Sequence, residues 1–356
     1  MKKVDERDVI FARMNYGHNS KVYDEYYSRN PQKKECDDNL RKKDLMGGDS
    51  ANFYHPIVSK LPDACFEFLA DIKQFSDKAH SKQRIENDLK ATESSNYTPQ
   101  QYTTLLKGLA KYYNAKDVKI IKLKDEHYYS NKGRPLEEYG EKIEEVYKYG
   151  IIFYVEMSEN IIGNAPFVTE SIATSKGYID SAIIGMVISY FLRSLGYLAR
   201  NNMDGNYLFP LVNIAQESGL GEIGLNGMLI TKEYGPRIRL GMVSTNLELI
   251  EDKKKEFNIK KFCSQCKRCI KYCPSKALGK QEDNTFFSDV KCLSTWQKLG
   301  SDCGICLSTC PFSHNLPKGL VDNLSDPEQR QKLKNYCDEK YPNRINNSEI
   351  PDWISI

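Results

Sequence analysis

Cysteine spacing is the feature that most constrains what this chain can fold into. Eight of its eleven cysteines fall between Cys263 and Cys310, and the first four follow the pattern C-x2-C-x2-C-x3-C with Pro274 immediately after. The second four also end in cysteine–proline, although Cys292 stands apart from the other three. Such short spacings let three thiolates reach one iron–sulfur cubane while the fourth turns towards a second. The sequence therefore predicts two [4Fe–4S] clusters.

The run matches that of bacterial two-cluster ferredoxins, in which the fourth cysteine of each run ligates the other cluster. By this rule the predicted ligand sets are Cys263, Cys266, Cys269 and Cys310 for one cluster, and Cys273, Cys292, Cys303 and Cys306 for the other. Structural zinc is the alternative, because paired CxxC units also bind zinc. Zinc gives no reason for the proline after each last cysteine, so clusters are the favoured interpretation. The three remaining cysteines, Cys36, Cys65 and Cys337, are expected to be plain thiols.

The composition is that of a globular, water-soluble chain. Of 356 residues, 40% are apolar and 28% charged, and the net charge of +3 does not indicate a nucleic-acid partner. The N-terminus lacks the apolar stretch and the twin arginine of export signals. The longest apolar run, Tyr178 to Ala199, is interrupted by Asp180 and Arg193. We therefore expect no membrane span and a cytoplasmic location.

Hydrophobic periodicity predicts helices and strands in alternation, hence an α+β fold. The predicted helices cover Pro62 to His80, Thr98 to Asn114 and Ser181 to Gly196. The predicted strands or extended segments are Asp117 to Leu123, Gly150 to Met157, Leu208 to Ala215, Met228 to Thr231 and Ile238 to Thr245. Four regions are expected: an extended N-terminal arm (1–48), a large catalytic domain (49–255), a cluster module (256–320) and a polar tail (321–356).

A glycine-rich stretch, Gly219 to Gly227, is the second dense signal. Its glycines indicate a backbone that turns tightly or approaches something closely. The stretch contains a GxGxxG pattern, but Gln216 to Ser218 precedes it where a dinucleotide-binding fold has a buried strand. A dinucleotide site is therefore disfavoured.

Several segments resemble the corrinoid-dependent reductive dehalogenases. They include LGYLAR (195–200), SGLGEIGLNGMLITKEYGPRIRLGMVSTNLEL (218–249) and WQKLGSDCGICLSTCPFSHN (296–315), with further likeness in DERDVIFARMNY (5–16) and GEKIEEVYKYGIIFYVEM (140–157). The resemblance implies a nitroreductase-like α/β domain that binds a base-off cobamide, a cobalamin-type corrinoid, followed by a ferredoxin-like two-cluster module. It also implies that electrons pass through the clusters to cobalt and that a carbon-bound halogen is replaced by hydrogen.

The resemblance also implies site residues. Tyr178 matches the tyrosine that gives the proton, and Arg237 matches its basic neighbour, with Arg239 as the alternative. A polar residue that orients the substrate is either Asp204 or Asn206. Cobamide contacts are expected from the chain around the glycine stretch and two further segments, namely from Thr174, Gly219, Gly221, Glu222, Gly224, Gly227 and His314. Leu225 departs from the family, which often has a basic residue there.

The implied partners are a small organohalide and reduced ferredoxin or flavodoxin as electron donor, with no nucleic acid. The oligomeric state stays open, a homodimer being one option. Two alternatives remain. One is an enzyme similar to epoxyqueuosine reductase, which shares cobalamin and two clusters but acts on tRNA. The other is a plain iron–sulfur electron-transfer protein, which would leave the residues before Cys263 without a role.

Overall fold

The computed structural model describes residues 3–45, 48, 51–79, 97–144, 146–345 and 350–354. Its strands are β1 (Asp117–Lys122), β2 (Tyr149–Glu156), β3 (Ala199–Asn202), β4 (Glu222–Ile223), β5 (Leu229–Ile230) and β6 (Ile238–Thr245). Four of them form an antiparallel sheet in the order β1-β2-β6-β3, and β4 pairs with β5 in a separate hairpin. The predicted mixed α+β fold is confirmed.

Strand β2 lies inside the sheet and is buried on both faces. It pairs with β6 over its whole length, from Tyr149 opposite Thr245 to Glu156 opposite Ile238. Ile151 and Phe153 face one hydrophobic core, whereas Ile152 and Tyr154 face another. Burial on both faces explains why this segment is an almost continuous apolar run instead of an alternating one.

Helices surround this sheet. In chain order they are α1 (Ile10–Met14), α2 (Lys21–Arg29), α3 (Pro31–Arg41), α4 (Lys60–Ala79), α5 (Pro99–Tyr112), α6 (Glu159–Ile162), α7 (Thr169–Ser194), α8 (Leu211–Glu217), α9 (Ile259–Cys266), α10 (Arg268–Lys271), α11 (Asp289–Leu299), α12 (Ile305–Ser308) and α13 (Pro327–Lys340). None of the helices in the described ranges is both long and apolar enough to cross a membrane.

Helix α7 is the central helix and is longer than expected. It packs against β6, β3 and α4, and it begins at Thr169 instead of Ser181. The added turns contain Ser171, Ser175 and Gly177, which favour a helix only weakly. All three are buried, so tertiary packing outweighs their low propensity.

Two expectations about the chain's course were wrong. The N-terminal arm is not extended, because it forms α1, α2 and α3, held together by a tyrosine cluster that includes Tyr16 and Tyr26. The segment from Leu208 to Ala215 is not a strand, because α8 begins there directly after Pro210. Leu211 and Ile214 then point inward at helical spacing, which turns the same apolar residues towards the sheet.

Helix α5 begins after Thr98, as the sequence predicts, and a capping box closes its first turn. Leu105 in this helix and Tyr113 at its end are exposed. The polar tail contains α13, whose Leu333 and Cys337 are buried against the cysteine-rich region. The tail therefore packs on the cysteine module.

Two glycines give a test of this packing. A Cβ at Gly241 of β6 would lie 2.6 Å from the Phe153 ring, whereas one at Gly108 of α5 would meet nothing within 4 Å. We expect Gly241→Ala to lower the free energy of unfolding by about 1–3 kcal/mol through overpacking. Gly108→Ala, in an exposed helix interior, should raise it by ~0.5–1 kcal/mol. Urea denaturation of both variants checks this, and equal effects would contradict the sheet packing.

Candidate active-site cavity and cysteine groups

A cavity of about 320 Å³ lies between β6, α7, α8 and the loop after β4. Its walls are mostly aromatic and aliphatic. Its polar groups come from widely separated segments and are Tyr129, Arg134, Tyr178, Tyr207 and Arg239. Three phenols and two guanidinium groups thus face one largely apolar cleft, which is the arrangement expected of a small-molecule site. We call it the phenol cavity.

Tyr178 and Arg239 form the closest polar pair in this cavity. The Arg239 guanidinium lies over the Tyr178 ring, 5.0 Å from its centroid, and its Nη2 donates to Thr174 Oγ1 at 2.7 Å. Burial raises the pKa of Tyr178, and the nearby Arg239 charge only partly offsets this. Burial raises this pKa of Tyr178 by more than the Arg239 charge lowers it. Tyr178 therefore keeps its proton at neutral pH.

Arg237 lies elsewhere. Its Nε donates to the Ser313 carbonyl at 2.7 Å and its Nη1 to the Met157 carbonyl at 2.8 Å, and the same Nη1 pairs with Glu156. These contacts fasten the start of β6 to the end of β2 and to the chain after Cys310. The expectation that Arg237 neighbours Tyr178 does not match the geometry, because Arg239 occupies that place.

The choice between Asp204 and Asn206 is also informed by geometry. Asp204 Oδ1 accepts a hydrogen bond of 3.0 Å from Arg134, which lines the phenol cavity. Asn206 instead donates to Asp77 at 2.7 Å and accepts from Arg200. Asp204 is thus joined to the cavity through Arg134. No motif singled out Arg134, because it lies in an irregular segment that is far from Tyr178 and Asp204 in the sequence.

The glycine stretch turns out to be mainly a packing feature. A Cβ at Gly219 would lie 2.7 Å from the backbone of Lys255, and Cβ atoms at Gly221 and Gly224 would clash with Ile230. Gly227 differs, because it lines the phenol cavity at φ +76° with nothing within 4 Å of a Cβ. Of these four glycines, only Gly227 leaves room for a bound group.

The remaining expected cofactor contacts have other partners in the structure. The Glu222 carboxylate accepts hydrogen bonds from the backbone N–H groups of Phe257 and Asn258 at the start of α9. His314 contacts the Glu159 carboxylate at 3.0 Å and the Ser308 carbonyl at 2.7 Å, and it does not line the phenol cavity. Their role as cofactor contacts stays a prediction.

The cysteines gather in two groups. The first group lines a small cavity walled by Phe262 and Phe312 and consists of Cys263, Cys266, Cys269 and Cys310. Cys303 and Cys292 are electrostatic neighbours of Cys306, and Cys273 is a neighbour of Cys292. We call Cys273, Cys292, Cys303 and Cys306 the second group, and the role of both groups as cluster ligands stays a prediction.

The chemistry of these donors fits cubane clusters. Within the described ranges, no three His, Cys, Asp or Glu side chains are grouped as ligands of a single metal ion. A cubane needs no such convergence, because each of its irons takes one thiolate. Burial raises the pKa of Cys306 and Cys310 well above the usual value, so a nearby cation is needed to hold them as thiolates.

The second group is joined to the phenol cavity through one hydrophobic cluster. Cys306 and Met228 both pack against this cluster, which contains Met157 and Ala173, and Met228 also lines the cavity. Glu170, which the sequence did not single out, is buried beside Gly304, where a Cβ would lie 2.3 Å from its carboxyl carbon. The first group lies further out, against α9 and α13.

The fold and the site define an α+β protein with two groups of four cysteines and a polar–aromatic cavity. No protein-family model matches the chain. Among curated proteins, the tetrachloroethene reductive dehalogenase of Desulfitobacterium hafniense is 34% identical over 181 residues, which is 46% of this chain and 32% of that protein. The enzyme of the same name from Sulfurospirillum multivorans is 31% identical over 195 residues, 49% of this chain and 38% of that protein.

The epoxyqueuosine reductase of Lactococcus garvieae is 32% identical over 158 residues, 38% of this chain and 42% of that protein. Among solved structures, the catabolic reductive dehalogenase NpRdhA bound to 3-bromo-4-hydroxybenzoic acid matches with a TM-score of 0.69 at 18% identity, covering 98% of this chain and 48% of that one. The chain is a relative of the reductive dehalogenases, with epoxyqueuosine reductases as more distant relatives, and the match spans about a third of the curated dehalogenases. The predicted family resemblance is confirmed.

Arg237 offers a test of its structural placement. It is buried, and Glu156 also pairs with the more exposed Lys116 at 3.5 Å. We expect Arg237→Gln to lower the free energy of unfolding by about 3 kcal/mol, because it removes a buried charge that the Met157 and Ser313 carbonyls accept hydrogen bonds from. Lys116→Gln, which removes the other partner of the same carboxylate, should cost less than ~1 kcal/mol. Chemical denaturation of both variants distinguishes these values, and a stable Arg237 variant would contradict the fastening role.

Proposed function

We propose that this chain is a reductive dehalogenase that uses a cobamide and two [4Fe–4S] clusters to replace a carbon-bound halogen by hydrogen. The observation that carries the proposal is the phenol cavity, with Tyr178 under Arg239 and with Met228 of its wall packed on the same hydrophobic cluster as Cys306. Support also comes from the relatedness to reductive dehalogenases, one of which is described as B12-dependent. The overall change is R–X plus two electrons and one proton, giving R–H and X⁻.

The residues present fit the two kinds of cofactor. The first group, Cys263, Cys266, Cys269 and Cys310, and the second group, Cys273, Cys292, Cys303 and Cys306, would each hold one cluster. Gly227, with open space at its Cβ position, and the aliphatic wall of the phenol cavity would lie against the corrin. When bound, the cobamide would supply the strongly reducing centre that cleavage of a carbon–halogen bond requires.

The chain's own residues would then handle the proton and exclude water. Tyr178 is neutral and enclosed, so it can donate a proton to the carbon that loses the halogen. The Arg239 charge would stabilise the tyrosinate left behind, and Thr174 fixes its orientation by accepting from Nη2. Among the two arginines, geometry favours Arg239 for this role, and Thr174 is then a positioning residue.

The domain description and partners belong to the same proposal. Residues 49–255 would form the nitroreductase-like cobamide domain, and residues 256–320 the ferredoxin-like cluster module. The substrate would be a small organohalide, as expected from relatives that include a structure with a brominated hydroxybenzoate. Reduced ferredoxin or flavodoxin would supply the electrons.

Cofactor content is the first test. Anaerobically reconstituted protein should bind about one corrinoid and about eight irons. Cys266→Ala should lower the iron content to about four, because it removes a ligand of one cluster. Cys337→Ala is the matched control, because this buried thiol lies near Cys266 but outside both groups, and it should leave the iron content unchanged. Iron and corrinoid assays with spectroscopy of the reduced protein check this, and protein that takes up no corrinoid would refute the proposal.

The proton donor is the second test. Tyr178→Phe should keep both cofactors and lose turnover by roughly 10²–10⁴-fold, because the general acid is gone. Tyr129→Phe is the matched control, since this phenol lines the same cavity and interacts with Arg134 instead of Arg239, and it should lose much less. Arg239→Gln should lose turnover about as much as Tyr178→Phe. Steady-state assays with halogenated phenols and alkenes measure this, and an equal loss in Tyr129→Phe would contradict the assignment.

The same reconstituted protein tests the second candidate. The likeness to an epoxyqueuosine reductase over 158 residues favours a shared cofactor set, not a shared substrate. We expect no turnover of an epoxyqueuosine-containing tRNA stem–loop. Turnover of that RNA, with no halide released from organohalides, would replace the dehalogenase proposal.

A further inference from the structure

Positive charge is concentrated on the first cysteine run. Between Lys260 and Lys280 lie seven of the chain's 51 Lys and Arg residues and none of its 48 Asp and Glu residues. The rest of the chain is therefore net negative, although the whole carries only +3. The seven cations are Lys260, Lys261, Lys267, Arg268, Lys271, Lys276 and Lys280. We call the surface of this segment the lysine surface.

The six lysines among these seven charges are exposed, whereas Arg268 is buried. None of the six forms an ion pair with an acidic side chain of the described ranges. Two acidic groups beside this segment have other partners, because Glu222 accepts from backbone N–H groups, including that of Lys260, and Asp338 of α13 pairs with Lys334. The lysine surface therefore presents a net positive field to solvent.

The lysine surface covers the outer cysteine group. Lys267 and Arg268 form part of the wall of the cavity that the first group lines. Arg268 and Lys271 both lie over the ring of Tyr272, at 5.4 and 5.0 Å from its centroid, next to Cys273. The second group, by contrast, includes Cys306, which packs on the hydrophobic cluster that Met228 of the phenol cavity also contacts. An electron that arrives from solvent at the lysine surface thus has a path through the first group and then the second.

We propose that the lysine surface is the docking site of an acidic electron-carrier protein that reduces the first cluster. The inference rests on the proposed function only in requiring the two clusters. In each encounter the reduced carrier loses one electron and the oxidised first cluster gains one, and no bond is formed or broken. Complementary charge accelerates such encounters by steering diffusion, which suits a transient partner that must leave after transfer.

The test measures cluster reduction instead of dehalogenation, so it gives an answer even if the substrate is wrong. The reconstituted full chain carries Lys261→Glu, Lys271→Glu and Lys276→Glu together. The matched control carries Lys21→Glu, Lys42→Glu and Lys142→Glu, which makes the same change in net charge on exposed lysines far along the chain. Stopped-flow bleaching of cluster absorbance is followed with a reduced ferredoxin of net negative charge, and separately with methyl viologen radical cation.

We expect the lysine-surface variant to be reduced by ferredoxin roughly 10- to 100-fold more slowly at low salt, with most of the salt dependence lost. The control variant should differ little from the unchanged chain, and viologen should reduce all three at similar or higher rates. Equal slowing of both variants, or slowing with viologen as well, would overturn the proposal, because it would indicate a general charge effect or an altered cluster. Salt-sensitive binding of a tRNA stem–loop that needs these lysines, with unchanged ferredoxin rates, would also overturn it.

Discussion

The pairing of β2 with β6 is the constraint on which the rest of the molecule depends. Eight consecutive residue pairs fix the register of β6, and that register sets where Arg237 and Arg239 lie. Arg239 is directed over Tyr178 on α7, whereas Arg237 reaches Met157 and Ser313 at the strand's start. A shift by one residue would exchange the faces of the strand and separate Arg239 from Tyr178. The candidate chemistry is therefore a consequence of sheet register.

The same strand joins the sheet to the cysteine module. Ser313 follows Cys310, so the contact from Arg237 fixes the end of the second cysteine run against the catalytic region. A second contact comes from Gly235, where a Cβ would lie 2.4 Å from the Phe312 backbone at φ +56°. Only glycine permits so close an approach in this conformation. Electron transfer from the cysteine module to the cavity beside the sheet would depend on the distance between them. The backbone contacts of Arg237 and Gly235 with the chain after Cys310 would keep that distance constant.

The parts of the fold and of the site that depend on a short stretch of sequence could be predicted. The cysteine grouping follows from spacing, and β2 and β6 follow from β-branched and aromatic runs. Arg239, Arg134 and Tyr207 could not be placed this way, because their meeting depends on register and on loops. The glycine stretch misled for a related reason. Spacing shows that a backbone is crowded, but only the fold shows that Ile230 and Lys255, and not a ligand, crowd it.

Electrons and protons would reach the cavity by different parts of the chain. The cysteine groups would conduct electrons from the lysine surface to Cys306, which packs on the same hydrophobic cluster as Met228 of the cavity wall. Tyr178, the proposed proton donor, lies on α7, and on the same helix Thr174 Oγ1 lies 3.5 Å from the buried Glu170 carboxyl beside Gly304. Since Thr174 also holds Arg239, one helix links the surroundings of the second cysteine group to the phenol. A reduction by two electrons and one proton requires that the electron donor and the proton donor keep fixed positions relative to the substrate. Helix α7 would hold both, because it contains Tyr178 as well as the residues next to the second cysteine group.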